Sequence, residues 1–276
     1  MKIYAFSDEA ASSLDGQIAA MKRNGLDGTE IRGVDGENVS GITAQKAKEV
    51  LCRLKEEGLQ VWSVGSPIGK ISLEGDDFAA HLETLRHTLE IARILECGNL
   101  RMFSFYLPKD ARPEDCRNEV IDRLGRMAEL AEDAGIALCH ENEKGIYGDN
   151  AARCAEILDA VPALRCVFDP ANFIQCGQDV PEAWALLGGR TYYMHIKDAL
   201  ADGTVVPAGK GTGHLGDILR DYVSRGGKAV TVEPHLRVFD GLAGLEKEGR
   251  TQIPEGAYPT ADAAFDAACG ALRALL

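Results

Sequence analysis

The sequence predicts a single α/β domain, a closed (β/α)8 TIM barrel that spans residues 1–276. Three observations support this fold. Short apolar segments alternate with amphipathic helical segments along the chain, and eight such apolar segments can be counted. The chain of 276 residues is close to the ~250 residues typical of this architecture. No change of composition and no linker indicates a second domain.

Glycine residues mark the points where helices end and strands begin. Segments such as RNGLDGTEI and DAGIALCHE place a glycine after a helical pattern and before an apolar run. Glycine is the usual left-handed terminator of a helix, and β-branched and aromatic residues favour buried strands. The predicted strands are Ile3–Phe6, Gly28–Ile31, Gln60–Val64, Leu100–Phe105, Ile136–His140, Arg165–Phe168, Tyr192–Ile196 and Ala229–Val232.

Between the strands, apolar residues recur three and four positions apart, which predicts amphipathic helices. The clearest of these cover residues 14–24, 43–57, 81–96 and 118–134. We expect residues 240–259 to form a long surface loop and Thr260 to cap a last helix. An open doubly wound sheet would need a glycine-rich turn after its first strand, and FSDEAASS is not such a turn.

Charge and composition exclude several classes of partner. The formal net charge of −13 and the pI near 5.0 argue against nucleic acid, which basic surfaces attract. The amino terminus has no apolar signal core, and no apolar run approaches the ~20 residues that cross a bilayer, so we expect a cytoplasmic protein without a membrane partner. The 8 cysteines form no CxxC pair, which argues against a structural zinc or a disulfide framework. The sequence leaves open whether the protein forms a homo-oligomer.

Ionisable residues lie at the carboxyl ends of four consecutive predicted strands. In a barrel the carboxyl ends of the strands form the catalytic face. These positions hold Glu141, Asp169, His195 and Glu233. Alternation along each strand places all four side chains toward the barrel interior, because residues two apart share a face.

Three carboxylates and an imidazole in one narrow cavity would repel one another unless a cation lay among them. Oxygen ligands with a single nitrogen suit Mn²⁺ or Mg²⁺, while Zn²⁺ and Co²⁺ remain alternatives. The sequence therefore predicts one divalent metal ion. Each residue also has an ordinary interpretation: His195 as a hydrogen-bonded core residue, Asp169 as a turn cap, and the glutamates as ion-pair partners of Lys197 or Arg32. The joint placement on four neighbouring strands favours a site.

The motifs HENEKGIYGD, FDPANF, HIKDA and VEPHL occur in that order and cover the second half of the chain. With them the whole chain resembles the xylose isomerase-like barrels, the sugar phosphate isomerase/epimerase superfamily. The resemblance implies a metal held by Glu141, Asp169, His195 and Glu233. It also implies that Glu141 and Glu233 exchange the substrate proton.

This chemistry fits a sugar or sugar phosphate substrate. A proton next to a carbonyl is removed more easily when a metal stabilises the resulting enolate and a placed carboxylate takes the proton. Lys197 is a third catalytic candidate, which either donates to a substrate oxygen or pairs with a neighbouring carboxylate. His235, Glu143 and Asn172 are candidate substrate-binding residues.

Two positions depart from the epimerases of this family and argue against a ketohexose epimerase. Asn172 stands where those enzymes have a histidine, and Ala201 lies where they have an arginine. The leading hypothesis is a metal-dependent sugar isomerase or epimerase, and the main alternative is a keto-sugar or inosose dehydratase or lyase on the same site. An endonuclease IV-like phosphodiesterase is less favoured, because that chemistry needs more histidines than the 6 present. A non-catalytic sugar-binding subunit is the fourth hypothesis.

The loop DGTVVPAGKGTGH follows the seventh predicted strand, where barrels often bind a phosphate through backbone amides. A plain hairpin is favoured for this loop, so the sequence leaves open whether the substrate carries a phosphate.

Overall fold

A computed structural model describes residues 1–239, 251–254 and 256–276. Eight parallel strands close into one barrel, in which β1 pairs with both β2 and β8. The strands are β1 (Lys2–Ala5), β2 (Gly28–Ile31), β3 (Gln60–Gly65), β4 (Asn99–Met102), β5 (Ala137–Glu141), β6 (Arg165–Phe168), β7 (Thr191–Ile196) and β8 (Ala229–Val232). The predicted single-domain (β/α)8 barrel is therefore confirmed.

Helices surround the barrel and bury one apolar face each against the strands. Their bounds are α1 (Leu14–Arg23), α2 (Ala44–Glu56), α3 (Phe78–Ile94), α4 (Pro113–Asp133), α5 (Ala151–Ala160), α6 (Pro170–Gln175), α7 (Val180–Leu187), α8 (Leu215–Ser224) and α9 (Ala261–Arg273). Thr260 caps α9 as predicted, since its hydroxyl accepts from the Ala263 amide at 3.1 Å. Among the described residues, none of the helices combines the length and the apolar content needed to span a membrane.

Seven of the eight predicted strands lie within one residue of the observed bounds, and the prediction for β4 is wrong at its end. β4 ends at Met102, three residues before the predicted Phe105. The Phe103 amide donates instead to Ile68 O at 2.8 Å, and the Phe105 amide donates to Gly69 O at 2.9 Å. The chain leaves the barrel here because these amides pair with the loop that follows β3.

The predicted helices are also present, although α3 and α4 begin earlier than expected. α4 starts at Pro113, five residues before the predicted start, because proline is favoured in the first helical turn. The predicted surface loop at residues 240–259 lies largely outside the described residues, since 240–250 and 255 are among those left out. All 8 cysteines are free, and Cys97, Cys139, Cys154, Cys166 and Cys269 are buried.

Aromatic side chains fill the barrel near the beginnings of its strands. Trp62 stacks on Tyr4 with ring centroids 5.3 Å apart and on Tyr192 at 5.8 Å. Tyr193, Cys139 and other small or apolar residues pack against this group. The polar interior therefore begins only above this layer, toward the carboxyl ends of the strands.

One glycine is required where β2 begins. Gly28 has a φ of 155°, and a Cβ atom there would lie 1.8 Å from Gln60 O. Only glycine allows β2 and β3 to approach this closely. The register between these strands then shifts between Thr29 and Glu30, so the irregularity occurs at the residue whose side chain enters the barrel centre.

Candidate active site

The structure brings together the four side chains that the sequence places at the strand ends. Glu141 is the last residue of β5, Asp169 follows β6, His195 lies in β7, and Glu233 follows β8. Their exposed fractions are 2%, 0%, 0% and 7%, respectively. One ligand atom from each residue lies within 4.8 Å of the others, so this group can hold a metal ion.

His195 lies between carboxylates on both edges of its ring. Its Nδ1 atom is 3.0 Å from Glu141 Oε1 and 3.1 Å from Glu233 Oε2. Its Nε2 atom is 3.2 Å from Glu30 Oε2 on the opposite side. Burial lowers the pKa of His195, but Glu141 and Glu30 raise it by more, so its pKa lies well above the ordinary value.

Two oxygen atoms of the cluster fit a divalent cation because hydrogen bonds leave them unsatisfied. Asp169 Oδ2 and Glu233 Oε2 are buried and accept no hydrogen bond of good geometry from the described residues, although His195 Nδ1 lies 3.1 Å from Glu233 Oε2. Lys197 Nζ lies 2.9 Å from Asp169 Oδ2, close enough for an ion pair but without hydrogen-bond geometry. Burying such an oxygen is costly unless it is paired or bound to a metal. The three oxygen donors and one imidazole nitrogen are suitable ligands for a divalent ion.

Lys197 supplies a positive charge between two of these carboxylates. Its Nζ atom also lies 3.1 Å from Glu233 Oε1, so the ion-pair interpretation of Lys197 agrees with the structure. Burial raises the pKa of Asp169 to about 7, and Glu233 and Glu141 add to the rise against the opposing effect of Lys197. Burial also raises the pKa of Glu233, but Lys197, His235 and His195 outweigh it and hold that pKa well below the ordinary value. Asp169 therefore retains a proton more readily than Glu233.

Asp169 has a structural contact in addition to its place in the cluster. Its Oδ1 atom accepts from the Asn172 amide at 2.9 Å, so Asp169 caps α6 as the ordinary interpretation expected. Asn172 Nδ2 donates to Glu141 Oε1 at 3.2 Å and to Asn142 O at 2.9 Å. Asn172 is therefore in contact with the site, where it orients Glu141.

His235, another predicted substrate-binding residue, belongs to a second charged group beside Glu233. The His235 amide donates to Glu9 Oε2 at 2.7 Å, and His235 Nδ1 lies 3.4 Å from Glu233 Oε1. One ligand atom from each of Glu9, Glu233 and His235 also lies within 4.8 Å of the others, close enough to share a cation. Arg32 Nη2 donates to Glu9 Oε1 at 3.0 Å and Arg32 Nε to Asp8 Oδ2 at 2.9 Å, so a guanidinium already supplies positive charge here.

Glu143 lies in an ion-pair group next to the site. Its Oε2 atom is 2.9 Å from Lys70 Nζ, and its Oε1 atom is 3.6 Å from Lys144 Nζ. Burial raises the pKa of Glu143, but Lys70, Lys144 and Lys197 lower it by more, so Glu143 is a carboxylate. The structure thus places Glu143 at the edge of the four-residue cluster and not within it.

Sequence reasoning missed two charged residues inside the barrel, Glu30 of β2 and Arg101 of β4. Arg101 Nη1 lies 3.3 Å from Glu141 Oε2, and Glu30 contacts His195. Both are buried, with exposed fractions of 0% for Glu30 and 5% for Arg101. A charged residue in the middle of an apolar strand was the available signal, since a charge there needs a buried partner.

The segment after β7 begins with a hairpin, in which Asp198 and Ala199 pair with Val206 and Val205, and the glycine-rich residues 209–213 follow this hairpin. The Asp198 carboxylate accepts hydrogen bonds from the amides of Ala199, Gly209, Gly211 and Gly213 at 2.9 to 3.0 Å. A Cβ atom at Gly211 would lie 2.2 Å from Ala199 O, so glycine is required for this close approach. These amides therefore donate their hydrogen bonds to the internal Asp198 carboxylate, although they could otherwise face a phosphate.

A sequence profile described as the xylose isomerase-like TIM barrel matches residues 18–246. The chain belongs to this family. No curated protein is significantly similar to the chain in sequence.

Solved structures of the same fold span nearly the whole chain. The structure of an L-ribulose 3-epimerase has a TM-score of 0.76 at 21% identity and covers 100% of this chain and 94% of its own. The IOLI protein with a binding zinc atom has a TM-score of 0.75 at 17% identity, and the match covers 100% of this chain and 98% of the IOLI chain. The probable 3-DHS dehydratase AsbF of Bacillus anthracis has a TM-score of 0.74 at 17% identity, covering 99% of each chain. At these identities the likeness establishes the xylose isomerase-like fold.

Proposed function

We propose that this protein is a sugar isomerase or epimerase that depends on one divalent cation and moves a proton next to a substrate carbonyl. The placement of Glu141 and Glu233 carries the proposal. These carboxylates approach His195 Nδ1 from β5 and from the end of β8, which are separated in the barrel by β6 and β7. Two carboxylates therefore face one position from two sides, as the exchange of a proton between substrate faces or carbons requires.

Glu141, Asp169, His195 and Glu233 would hold the cation, with Mn²⁺ or Mg²⁺ as the first candidates and Zn²⁺ or Co²⁺ as alternatives. When bound, a divalent cation supplies Lewis-acid stabilisation of negative charge on a substrate oxygen. Asp169 and His195 would contribute ligands without taking part in proton transfer.

The environments of the two glutamates suit them to proton transfer. Lys197 and His235 keep Glu233 deprotonated, so its carboxylate is ready to accept a proton. Glu141 is oriented by Asn172 at Oε1 and by Arg101 at Oε2, which holds the carboxylate toward the same position. Lys197 lies 3.1 Å from Glu233 and is placed to donate to a substrate oxygen.

We infer that the substrate is a small polar molecule that is not held through a phosphate at the loop after β7. The Asp198 carboxylate occupies the amides of Gly209, Gly211 and Gly213 in that loop. A phosphate there would have to displace a buried carboxylate and would lie close to its negative charge. A free sugar therefore fits this part of the mouth better than a sugar phosphate.

A dehydratase or lyase is the second candidate. It is supported by Lys197, whose ammonium group is a proton donor beside the two carboxylates and is placed to protonate a leaving hydroxyl group. A probable 3-DHS dehydratase and an L-ribulose 3-epimerase share the fold, so both classes of chemistry are represented among similar structures. The four-residue cluster contains one histidine, and His235 beside Glu233 adds a second among the described residues, so we do not propose an endonuclease.

Deuterium exchange tests the proposed function. The protein loaded with Mn²⁺ or Mg²⁺ is incubated with a panel of free sugars in heavy water, and products are analysed by NMR and mass spectrometry. A deuterated stereoisomer or isomer is expected, whereas loss of water would identify the dehydratase. Glu141→Gln and Glu233→Gln should each abolish exchange. Glu156→Gln is the matched control, since Glu156 pairs with Arg117 outside the cluster. Exchange that persists in the double variant of Glu141 and Glu233 would refute the assigned roles.

A further inference from the structure

Glu30 is a fully buried carboxylate in the middle of the barrel, although it is not one of the four clustered ligands. Its exposed fraction is 0%. Tyr193 OH donates to Glu30 Oε1 at 2.8 Å, and Thr231 Oγ1 donates to Glu30 Oε2 at 2.8 Å. The same Oε2 atom lies 3.2 Å from His195 Nε2. A buried charge with this many hydrogen bonds is held in one orientation.

We propose that Glu30 is a positioning residue for the cation site and acts through His195. Glu30 accepts the hydrogen bond of the His195 Nε2 proton, and this leaves Nδ1 as the nitrogen that faces Glu141, Asp169 and Glu233 and would bind the cation. A histidine can bind a metal through only one nitrogen when the other carries its proton, and a carboxylate on the second nitrogen sets both the tautomer and the ring orientation. The inference rests on the proposed cation site.

An ion pair with Arg101 is the alternative explanation for a buried Glu30. Arg101 Nε lies 3.9 Å from Glu30 Oε1 and makes no hydrogen bond with the described residues. Arg101 instead approaches Glu141 more closely, at 3.3 Å through Nη1. The short contacts of Glu30 are with the two hydroxyl groups and with His195. Glu30 is therefore placed to orient the His195 imidazole and not to pair with the Arg101 guanidinium.

The fold places all three short contacts of Glu30 on adjacent strands. Thr231 of β8 is the register partner of His195 in β7, and Tyr193 precedes His195 by two residues on the same inward face. The register shift between Thr29 and Glu30 occurs at the strand position that delivers the carboxylate to this face. The hydroxyl groups of Tyr193 and Thr231 thus orient the carboxylate so that Oε2 also faces His195 Nε2.

Co²⁺ binding tests the inference with readouts other than turnover. Co²⁺ is titrated into metal-free wild type, Glu30→Gln and Tyr193→Phe, and the affinity and visible absorption spectrum are recorded. Loss of an outer contact to a ligating histidine typically weakens metal binding by ~10 to 100-fold, so we expect that loss for Glu30→Gln, with a changed spectrum. Tyr193→Phe should show a smaller loss, because it removes one donor to Glu30. Tyr4→Phe is the matched control and should bind as wild type, since Tyr4 OH reaches Gln60 and not Glu30.

The outcomes separate this inference from the proposed function. Wild-type affinity and an unchanged spectrum in Glu30→Gln, with Co²⁺ bound by the wild type, would overturn the role of Glu30 alone. A lower Tm of the metal-free variants with unchanged Co²⁺ affinity would also overturn it, because it would show a merely structural role. If Glu30→Gln does not fold, the Co²⁺ affinities of Tyr193→Phe and Tyr4→Phe are compared instead. Weaker Co²⁺ binding by Tyr193→Phe supports the inference, and equal binding by the two variants overturns it. A wild type that binds no Co²⁺ would refute the cation site itself.

Discussion

Replacing Asp198 by asparagine should destabilise the protein by a margin that follows from its four hydrogen bonds. Asp198 Oδ1 accepts from the amides of Ala199 and Gly213, and Oδ2 accepts from those of Gly209 and Gly211. The side chain has an exposed fraction of 0%. Asparagine keeps the shape but has only one acceptor oxygen, so its NH₂ group must face two N–H donors.

The magnitude can be worked out from the two amides that lose their acceptor. A hydrogen bond to a charged group contributes ~1.5 to 3 kcal/mol, and water can partly replace it at an exposed amide. Gly209 is exposed and Gly211 is half-buried, so the best orientation of asparagine places its NH₂ toward these two. We therefore expect Asp198→Asn to lower the free energy of unfolding by about 2 to 4 kcal/mol. With ~2.1 cal/mol/K of unfolding entropy per residue over 276 residues, this lowers Tm by about 3 to 7 °C.

Urea unfolding monitored by circular dichroism measures the change. Asp202→Asn is the control, because Asp202 is exposed and accepts from the Thr204 amide at 2.9 Å. That variant should change the free energy of unfolding by less than ~1 kcal/mol. If Asp198→Asn costs no more than Asp202→Asn, the four amide bonds do not hold the loop and the argument against a phosphate at this position fails with them.

Three further predictions concern the cation, Lys197 and pH. Mn²⁺ at 100 times its Kd should raise the free energy of unfolding by ~2.7 kcal/mol, which corresponds to a rise of about 5 °C in Tm by differential scanning fluorimetry. A chelator should reverse this rise, and an equal rise in Asp169→Asn would contradict the cation site. The Lys197→Gln variant should still bind Mn²⁺ in calorimetry but should no longer catalyse deuterium exchange, because Lys197 pairs with the ligands Asp169 and Glu233 without being a ligand itself. Loss of Mn²⁺ binding in this variant would contradict that role. Burial lowers the pKa of His81, so the unfolded chain takes up a proton first and the free energy of unfolding should fall as the pH drops below ~6.5. His81→Gln should reduce this pH dependence in urea titrations without removing it, because burial also lowers the pKa of His140, to about 3; an unchanged slope would argue against a contribution from His81.

The cluster of four candidate ligands could be predicted because each member lies at or directly after the carboxyl end of its strand. In a barrel with every strand parallel, the carboxyl ends meet on one face, so position along the chain already implies proximity. Glu141, Asp169, His195 and Glu233 needed only this rule and the two-residue alternation of strands. The local pattern also predicted the N-cap at Thr260, because a capping residue precedes its helix in sequence.

Glu30 and Arg101 could not be assigned in the same way. Glu30 and His195 are 165 positions apart, and their contact depends on the register shift in β2 and on the closure of β1 against β8. A charged residue inside a strand indicates that a buried partner exists, but its identity depends on strands far away in the sequence. The wrong end predicted for β4 has a similar cause, since Phe105 continues an apolar run yet its amide pairs with Gly69 of another loop.

By itself, the sequence determined the order of helices and strands, the closed barrel and the face that carries the ionisable residues. These features depend on periodicity, glycine terminators and helix caps, which act over a few neighbouring residues. The tertiary structure decided which charges meet: Asp198 with the glycine amides, Lys197 with Asp169, and Glu30 with His195. Hydrogen bonds and ion pairs act over about 3 to 4 Å, so they are set by strand register and loop packing, which local sequence patterns do not encode.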